Sequence, residues 1–162
     1  MRKQCLTMPR TEKIRVTLFQ PIKAWKKPRI ILLSSTWPIP LGRWGIELKS
    51  NGKFIGTIDL HKIDPALKKA AIGYIINKKY WNQGLTTEAN RAVIELAFEK
   101  IGMNKLTALH DKANPASGKV MEKSGMHFSH EEAYACMDQN EEGRIVTRVH
   151  YVLTKEDYFA NK

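Results

Sequence analysis

Cysteine is scarce. The 162-residue chain has two, Cys5 and Cys136, which give no disulfide framework and no C-x-x-C redox or metal motif. A reducing cytoplasm is therefore the expected home. Long apolar runs are missing as well. The longest candidate, Ile30-Ile31-Leu32-Leu33, falls far short of the roughly 20 residues a membrane span needs, and no apolar stretch with a cleavage site marks a secretory signal. There are no internal repeats and no low-complexity segments. His127-x-x-His130 with Cys136 has metal-ligand types but only three of them and no second cluster, so no metal site is expected. Acidic residues are sparse at the start: Glu12 and Glu47 stand against 11 Lys/Arg in the first 50 positions, which puts +9 of the formal +11 there. A basic arm could meet nucleic acid, a ribosome or an acidic partner. No recognition helix or aromatic-interleaved basic repeat accompanies it, so it reads as a solvated segment, with ribosome contact the one nucleic-acid encounter left open.

What is present is ordinary for a globular protein, 43% hydrophobic and 27% charged residues, and the length suits one domain with a substantial core. Residues 1–43 form a divergent basic segment, and residues 1–44 hold five prolines (Pro9, Pro21, Pro28, Pro38, Pro40). Residues 14–18 alternate as a strand would. From Trp44 the pattern sharpens into strand (44–48), Asn51-Gly52 turn and strand (54–60), since Asn-Gly favours the hairpin turn. Residues 70–77 give a third strand. Residues 87–101 predict an amphipathic helix, with Ala89, Val93, Leu96, Ala97 and Ile101 on one face, Thr86 or Thr87 as cap and Gly102 as stop. A strand over 105–110 follows, then a helix opened by Asn114-Pro115 and ended by Gly125. Residues 134–137 and 145–153 form a last strand pair. The order β-β-β-α-β-α-β-β defines a mixed α/β domain.

The segment Tyr80-Trp81-Asn82-Gln83-Gly84-Leu85-Thr86-Thr87-Glu88-Ala89 joins a strand to a helix. Free backbone N–H groups and the helix dipole suit a pyrophosphate there, and a glycine lets backbone come close to an anion. Together with Ile72-Gly73-Tyr74 before it, and with Asn114-Pro115-Ala116-Ser117, Val120-Met121-Glu122-Lys123-Ser124-Gly125-Met126 and Val149-His150-Tyr151-Val152-Leu153 after it, it resembles the GNAT superfamily of N-acetyltransferases. The nearest branch is the RimJ/RimL type, which acetylates ribosomal-protein N-termini and some small molecules. The likeness covers about residues 44–158, the family-like core of a single 1–162 domain.

That resemblance implies the GNAT fold: a mixed, mostly antiparallel central sheet with helices on both faces. The proline-broken residues before Trp44 imply a shortened or divergent N-terminal helical region. It implies acetyl-CoA as co-substrate, no metal, and direct attack by a primary amine, either a protein N-terminal α-amino group or a small molecule, in a ternary complex. Backbone groups of Tyr74, Ile75 and Ile76 would pair with the pantetheine arm, and Gln83, Gly84, Leu85, Thr86 and Thr87 would hold the pyrophosphate. Asn114, Ser117 and Lys119 would complete the cofactor site, with Asn114 fixing the pantetheine side and Ser117 protonating the sulfur. The tyrosine that many relatives use for that proton is replaced by Met121. The family also admits a homodimer. No acid precedes Ile72-Gly73-Tyr74, where Ala70 and Ala71 stand, so the general base is open among Asp59, His61, Glu131 and Glu132. A catalytically inactive GNAT-fold protein that binds a ligand or partner is the alternative.

Overall fold

The computed structural model describes residues 13–18 and 42–162. Seven strands form one sheet: β1 Ile14–Leu18, β2 Arg43–Leu48, β3 Phe54–Asp64, β4 Lys69–Ile76, β5 Lys105–Asp111, β6 His127–Met137 and β7 Ile145–Thr154. Their spatial order is β1-β2-β3-β4-β5-β7-β6. Every neighbouring pair is antiparallel except β4 and β5, which run parallel. The GNAT fold expected from the sequence is the fold observed. Where the N-terminal helices of that fold would fall, at residues 19–41, the chain lies outside the described residues.

Strand alternation sorts the sheet into two faces. Trp44, Ile46, Ile58, Leu60, Ala70, Ile72 and Leu106 are buried on one. There they join Leu85, Ala89 and Val93 of α1 (Leu85–Glu95) and Met121 of α2 (Pro115–Lys123). The alternate positions of β3 and β4, among them Asp59, His61, Gly73 and Ile75, therefore face the other way.

Helix α1 begins two residues earlier than the apolar periodicity suggests. Gly84, with φ +76°, is the N-cap residue and no side chain caps the end, so Thr86 and Thr87 lie inside the first turn instead of capping it. The helix then widens into a π-helical stretch, Leu96–Ile101, closed at Gly102 in the left-handed region as expected. Strand β6 starts seven residues before the expected 134. Its polar first half is exposed, so it carries no apolar alternation to read; pairing with β7 extends it. A short helix α3, Lys155–Ala160, was not anticipated. Its cap is legible in retrospect: Thr154 Oγ1 accepts from Asp157 N at 3.2 Å and donates to the Asp157 carboxylate at 2.7 Å, a reciprocal cap of the Thr-x-x-acid kind.

Candidate functional site

Strands β4 and β5 pair only over Lys69–Lys105, Ala70–Leu106 and Ala71–Thr107. Beyond that point β4 stays on β3 as far as Ile76, and β5 stays on β7 as far as Asp111. The two strands thus part inside the sheet, and the backbone groups of residues 72–76 that face β5 have no ladder partner there. Extended backbone with free N–H and C=O groups can bind an amide-bearing chain in the manner of an added strand. Tyr74, Ile75 and Ile76, expected to meet a pantetheine arm, lie along this gap, although the Ile76 carbonyl is already taken by Trp81 Nε1.

At the end of β4 the chain enters a braced turn. Asn77 Oδ1 caps a short 3₁₀ turn (Lys78–Tyr80) by accepting from Lys79 N. Trp81 Nε1 donates to the Ile76 carbonyl at 3.0 Å, and Gln83 Nε2 donates to the Lys79 carbonyl at 3.1 Å. Gln83 therefore spends its side chain on the turn and leaves its backbone for any ligand. Asn82 and Gly84 both have positive φ, 58° and 76°. Asparagine is the non-glycine residue that tolerates this region best, which accounts for Asn82 at this position. A Cβ built on Gly84 would meet nothing within 4 Å, so the space over this residue is open. The first-turn N–H groups of α1 point toward it without intrahelical partners, and Lys78 and Lys79 add positive charge nearby. Leu85 is buried, so of the five residues expected here it can offer only its backbone. The turn has what an anion needs. Glu88, further along, accepts from Lys13 N at 2.8 Å and ties the start of the described chain to α1.

Across the gap, α2 starts at Pro115 with Asn114 as N-cap residue. The Asn114 side chain makes no capping hydrogen bond; its Nδ2 donates to Ser117 Oγ at 3.2 Å. Asn114 thus opens the helix as expected, but without a capping hydrogen bond from its side chain. Tyr74 reaches over from β4, its hydroxyl donating to the Ser117 carbonyl at 2.9 Å. Burial pushes the Tyr74 phenol well above the ordinary tyrosine range, so it stays protonated. Sequence reasoning used Tyr74 for its backbone and missed this hydroxyl. Met121 is buried in the core, so its role is packing. Lys119 is exposed on α2.

On the opposite face of the sheet, β3 carries a hydrogen-bonded row. Arg43 lies across from Asp59, and Asp59 across from Gly73. Arg43 contacts Asp59 Oδ2 at 3.2 Å, while Asp59 Oδ1 is 3.0 Å from His61 Nδ1. The other candidate acids are engaged on the outer strand β6: Glu131 with Lys112 at 2.8 Å and Glu132 with His150 at 2.9 Å. His130 stacks on His150, ring centroids 4.3 Å apart. Among the described residues no three His, Cys, Asp or Glu side chains are placed to hold a metal ion. No described helix is long and apolar enough to cross a membrane. A cavity of about 400 Å³ lies elsewhere, between Arg91, Lys123, Tyr158 and Lys162. Arg91 there is already committed to the Lys123 carbonyl, and Lys162 to Glu99.

Comparison with known proteins agrees with this architecture. Residues 15–127 match the model of the acetyltransferase (GNAT) domain, and the chain belongs to that family. It is 32% identical over 83 residues to the uncharacterized N-acetyltransferase YoaA of Bacillus subtilis, covering 51% of this chain and 47% of that protein. It is 37% identical over 83 residues to YdaF of the same organism, provisionally named a ribosomal N-acetyltransferase, covering 50% and 45%. The chain spans about half the length of these relatives. Among solved structures, an acetyltransferase of the GNAT family from Bacillus anthracis superimposes with TM-score 0.64 at 25% identity, covering 71% of this chain and 67% of that one.

Proposed function

We propose that this chain is an acetyl-CoA-dependent N-acetyltransferase acting on a primary amine by direct attack in a ternary complex. The observation that carries the reading is the parting of β4 and β5 beside the N-terminus of α1. A pantetheine-like arm fits the gap and a pyrophosphate fits the turn. In this reading Tyr74, Ile75 and Ile76 hold the arm through backbone groups, and Gln83, Gly84, Leu85, Thr86 and Thr87 hold the phosphates. Asn114, Ser117 and Lys119 complete the site from α2, and acetyl-CoA supplies the activated thioester. Asn114 orients the Ser117 hydroxyl, which delivers a proton to the departing sulfur. Tyr74 fixes the first turn of α2 by holding the Ser117 carbonyl. No step calls for a metal.

The whole of 1–162 acts as one acetyltransferase domain in the cytoplasm, with 44–158 as family-like core and 1–43 as a divergent basic segment. Within the family we favour the RimJ/RimL-type branch, supported by the Ile72-Gly73-Tyr74 and Tyr80–Ala89 phrases and by the name of YdaF. The acceptor is an α-amino group or small amine in preference to a lysine. The amine must be neutral to attack. An α-amino group of pKa about 7.8 costs roughly 1.1 kcal/mol to deprotonate at pH 7, against roughly 4.6 for lysine at about 10.4. A mutant spermidine N-acetyltransferase from Vibrio cholerae shares the fold at 16% identity, with TM-score 0.66, and gives no guide to the acceptor.

Thiol release from acetyl-CoA tests the reading, with paired peptides as acceptors: one with a free N-terminus and blocked lysine, the other with the reverse. Faster reaction of the free N-terminus is expected. Faster lysine acetylation reverses the acceptor choice. No release with these peptides or with pooled small amines leaves an inactive binding protein.

A further inference from the structure

Resting on the acetyltransferase reading, we propose that His61 is the base that takes the proton from the attacking amine, with Asp59 and Arg43 as its positioning residues. The gap between β4 and β5 begins after Ala71. On the face away from α1 and α2, the His61 ring lies against β4 just past that point. A Cβ at Gly73 would come within 3.1 Å of His61 Cε1 and of Asp59 Oδ1. The missing side chain of Gly73 is therefore what lets the pair settle onto β4 at the rim of the gap. The backbone of Gly73 has no positive φ, so space, not conformation, is its reason to be glycine.

The ring's orientation follows from hydrogen-bond chemistry. Arg43 occupies Asp59 Oδ2, which leaves Oδ1 for the imidazole. An ionised carboxylate only accepts, so Nδ1 carries the proton in neutral His61 and the lone pair lies on Nε2. The His61 side chain is 47% exposed, against 22% for Asp59, so the ring is reachable while its anchor is sheltered. Among the described residues, the other charged group on this face of β4 near the ring is Lys69, which is paired with Asp64 at 3.7 Å. Glu131 and Glu132 sit on β6, separated from β5 by β7, whereas β3 adjoins β4 directly.

The balance is simple. An ammonium acceptor loses one proton to His61 Nε2, which passes it to solvent. The nitrogen then forms the N–C bond as the C–S bond breaks. The second proton leaves the nitrogen for solvent as the amide forms, and the departing sulfur gains one from the Ser117 hydroxyl, which solvent re-protonates.

The test uses the full chain, acetyl-CoA and the peptide with a free N-terminus, read as thiol release across pH. H61Q is expected to lower turnover about a hundredfold or more, with calorimetric affinity for acetyl-CoA unchanged. H61A is expected to regain turnover on addition of imidazole. D59N is expected to lower kcat with little change in KM for the peptide. Parent-like turnover in H61Q, or a loss in H61A that resists imidazole, overturns the assignment while the acetyltransferase reading stands. A parent chain that binds acetyl-CoA but releases no thiol overturns that reading and the base with it.

Discussion

Gly118 on α2 faces the imidazole of His110 on β5 so closely that a Cβ at position 118 would lie 2.7 Å from Nε2. The ring cannot easily retreat. Its Nδ1 lies 2.7 Å from the Asp111 carbonyl, which can only accept, its centroid is 5.8 Å from that of Tyr151, and the residue is buried. Glycine inside a helix ordinarily costs up to about 1 kcal/mol relative to alanine. Here it is what allows α2 to seat against β5. Gly118→Ala is therefore expected to destabilise the protein by about 1–3 kcal/mol, as overpacking does, although propensity alone argues for a gain. Urea unfolding checks the sign, and a raised midpoint would contradict the packing account.

Arg144 ties the turn between β6 and β7 to the end of β5. It pairs with Asp111 and Asp138 and reaches Glu141 at 3.3 Å. Asp111 also accepts from Ala113 N at 2.9 Å, so the cluster steadies the loop that leads to Asn114. The Arg144 hydrogen bond, followed by that of Ala113, holds the Asp111 carboxyl below the usual range. The Asn140 N–H and then Arg144 do the same for Asp138. A depressed carboxyl pKa contributes stability that is present above its unfolded value, near 3.9, and is lost as pH falls through the folded value. Arg144→Gln should therefore lower the melting temperature at neutral pH, and the gap from the parent should close below about pH 4. A gap that persists undiminished in acid would mean that the arginine acts through packing.

Asn114→Ala is expected to reduce turnover more than Gln83→Ala. The Asn114 amide orients Ser117 at 3.2 Å, whereas Gln83 braces its own turn from within. Because the Asn114 side chain caps nothing, its loss should spare the roughly 1 kcal/mol that a capping side chain contributes. Thermal melts of both variants beside thiol-release rates make the comparison. Parent-like activity in Asn114→Ala would remove that residue from the site.

Much of this was legible in the chain because the signals were local. The Asn51-Gly52 turn, the stripe from Ala89 to Ile101, and the Asn114-Pro115 start of α2 are each set by neighbours in sequence, and each appears in the fold. The turn at Gly84 was found from its residues, yet not the helix start, because a glycine N-cap leaves no polar side chain to mark it. What the sequence hid is what depends on register. The alternation of Asp59 and His61 put them on one face, but only strand pairing sets Arg43 beside Asp59 and Gly73 beneath the pair. The Tyr74 to Ser117 bond joins residues 43 positions apart. Gly118, unfavourable inside a helix by propensity alone, is explained only by the His110 ring packed against it.

The central claim is that the turn before α1 holds the phosphates of acetyl-CoA, and calorimetric titration of acetyl-CoA into the folded parent and into Gly84→Val tests it most directly. Valine disfavours the φ of +76° at this position, and its branches would intrude on the open space above the turn. The account predicts saturable heat for the parent by about a hundred micromolar cofactor and at least about a tenfold loss of affinity in the variant, near 1.4 kcal/mol. No heat from correctly folded parent at that concentration, or equal affinity in the two proteins, would contradict it.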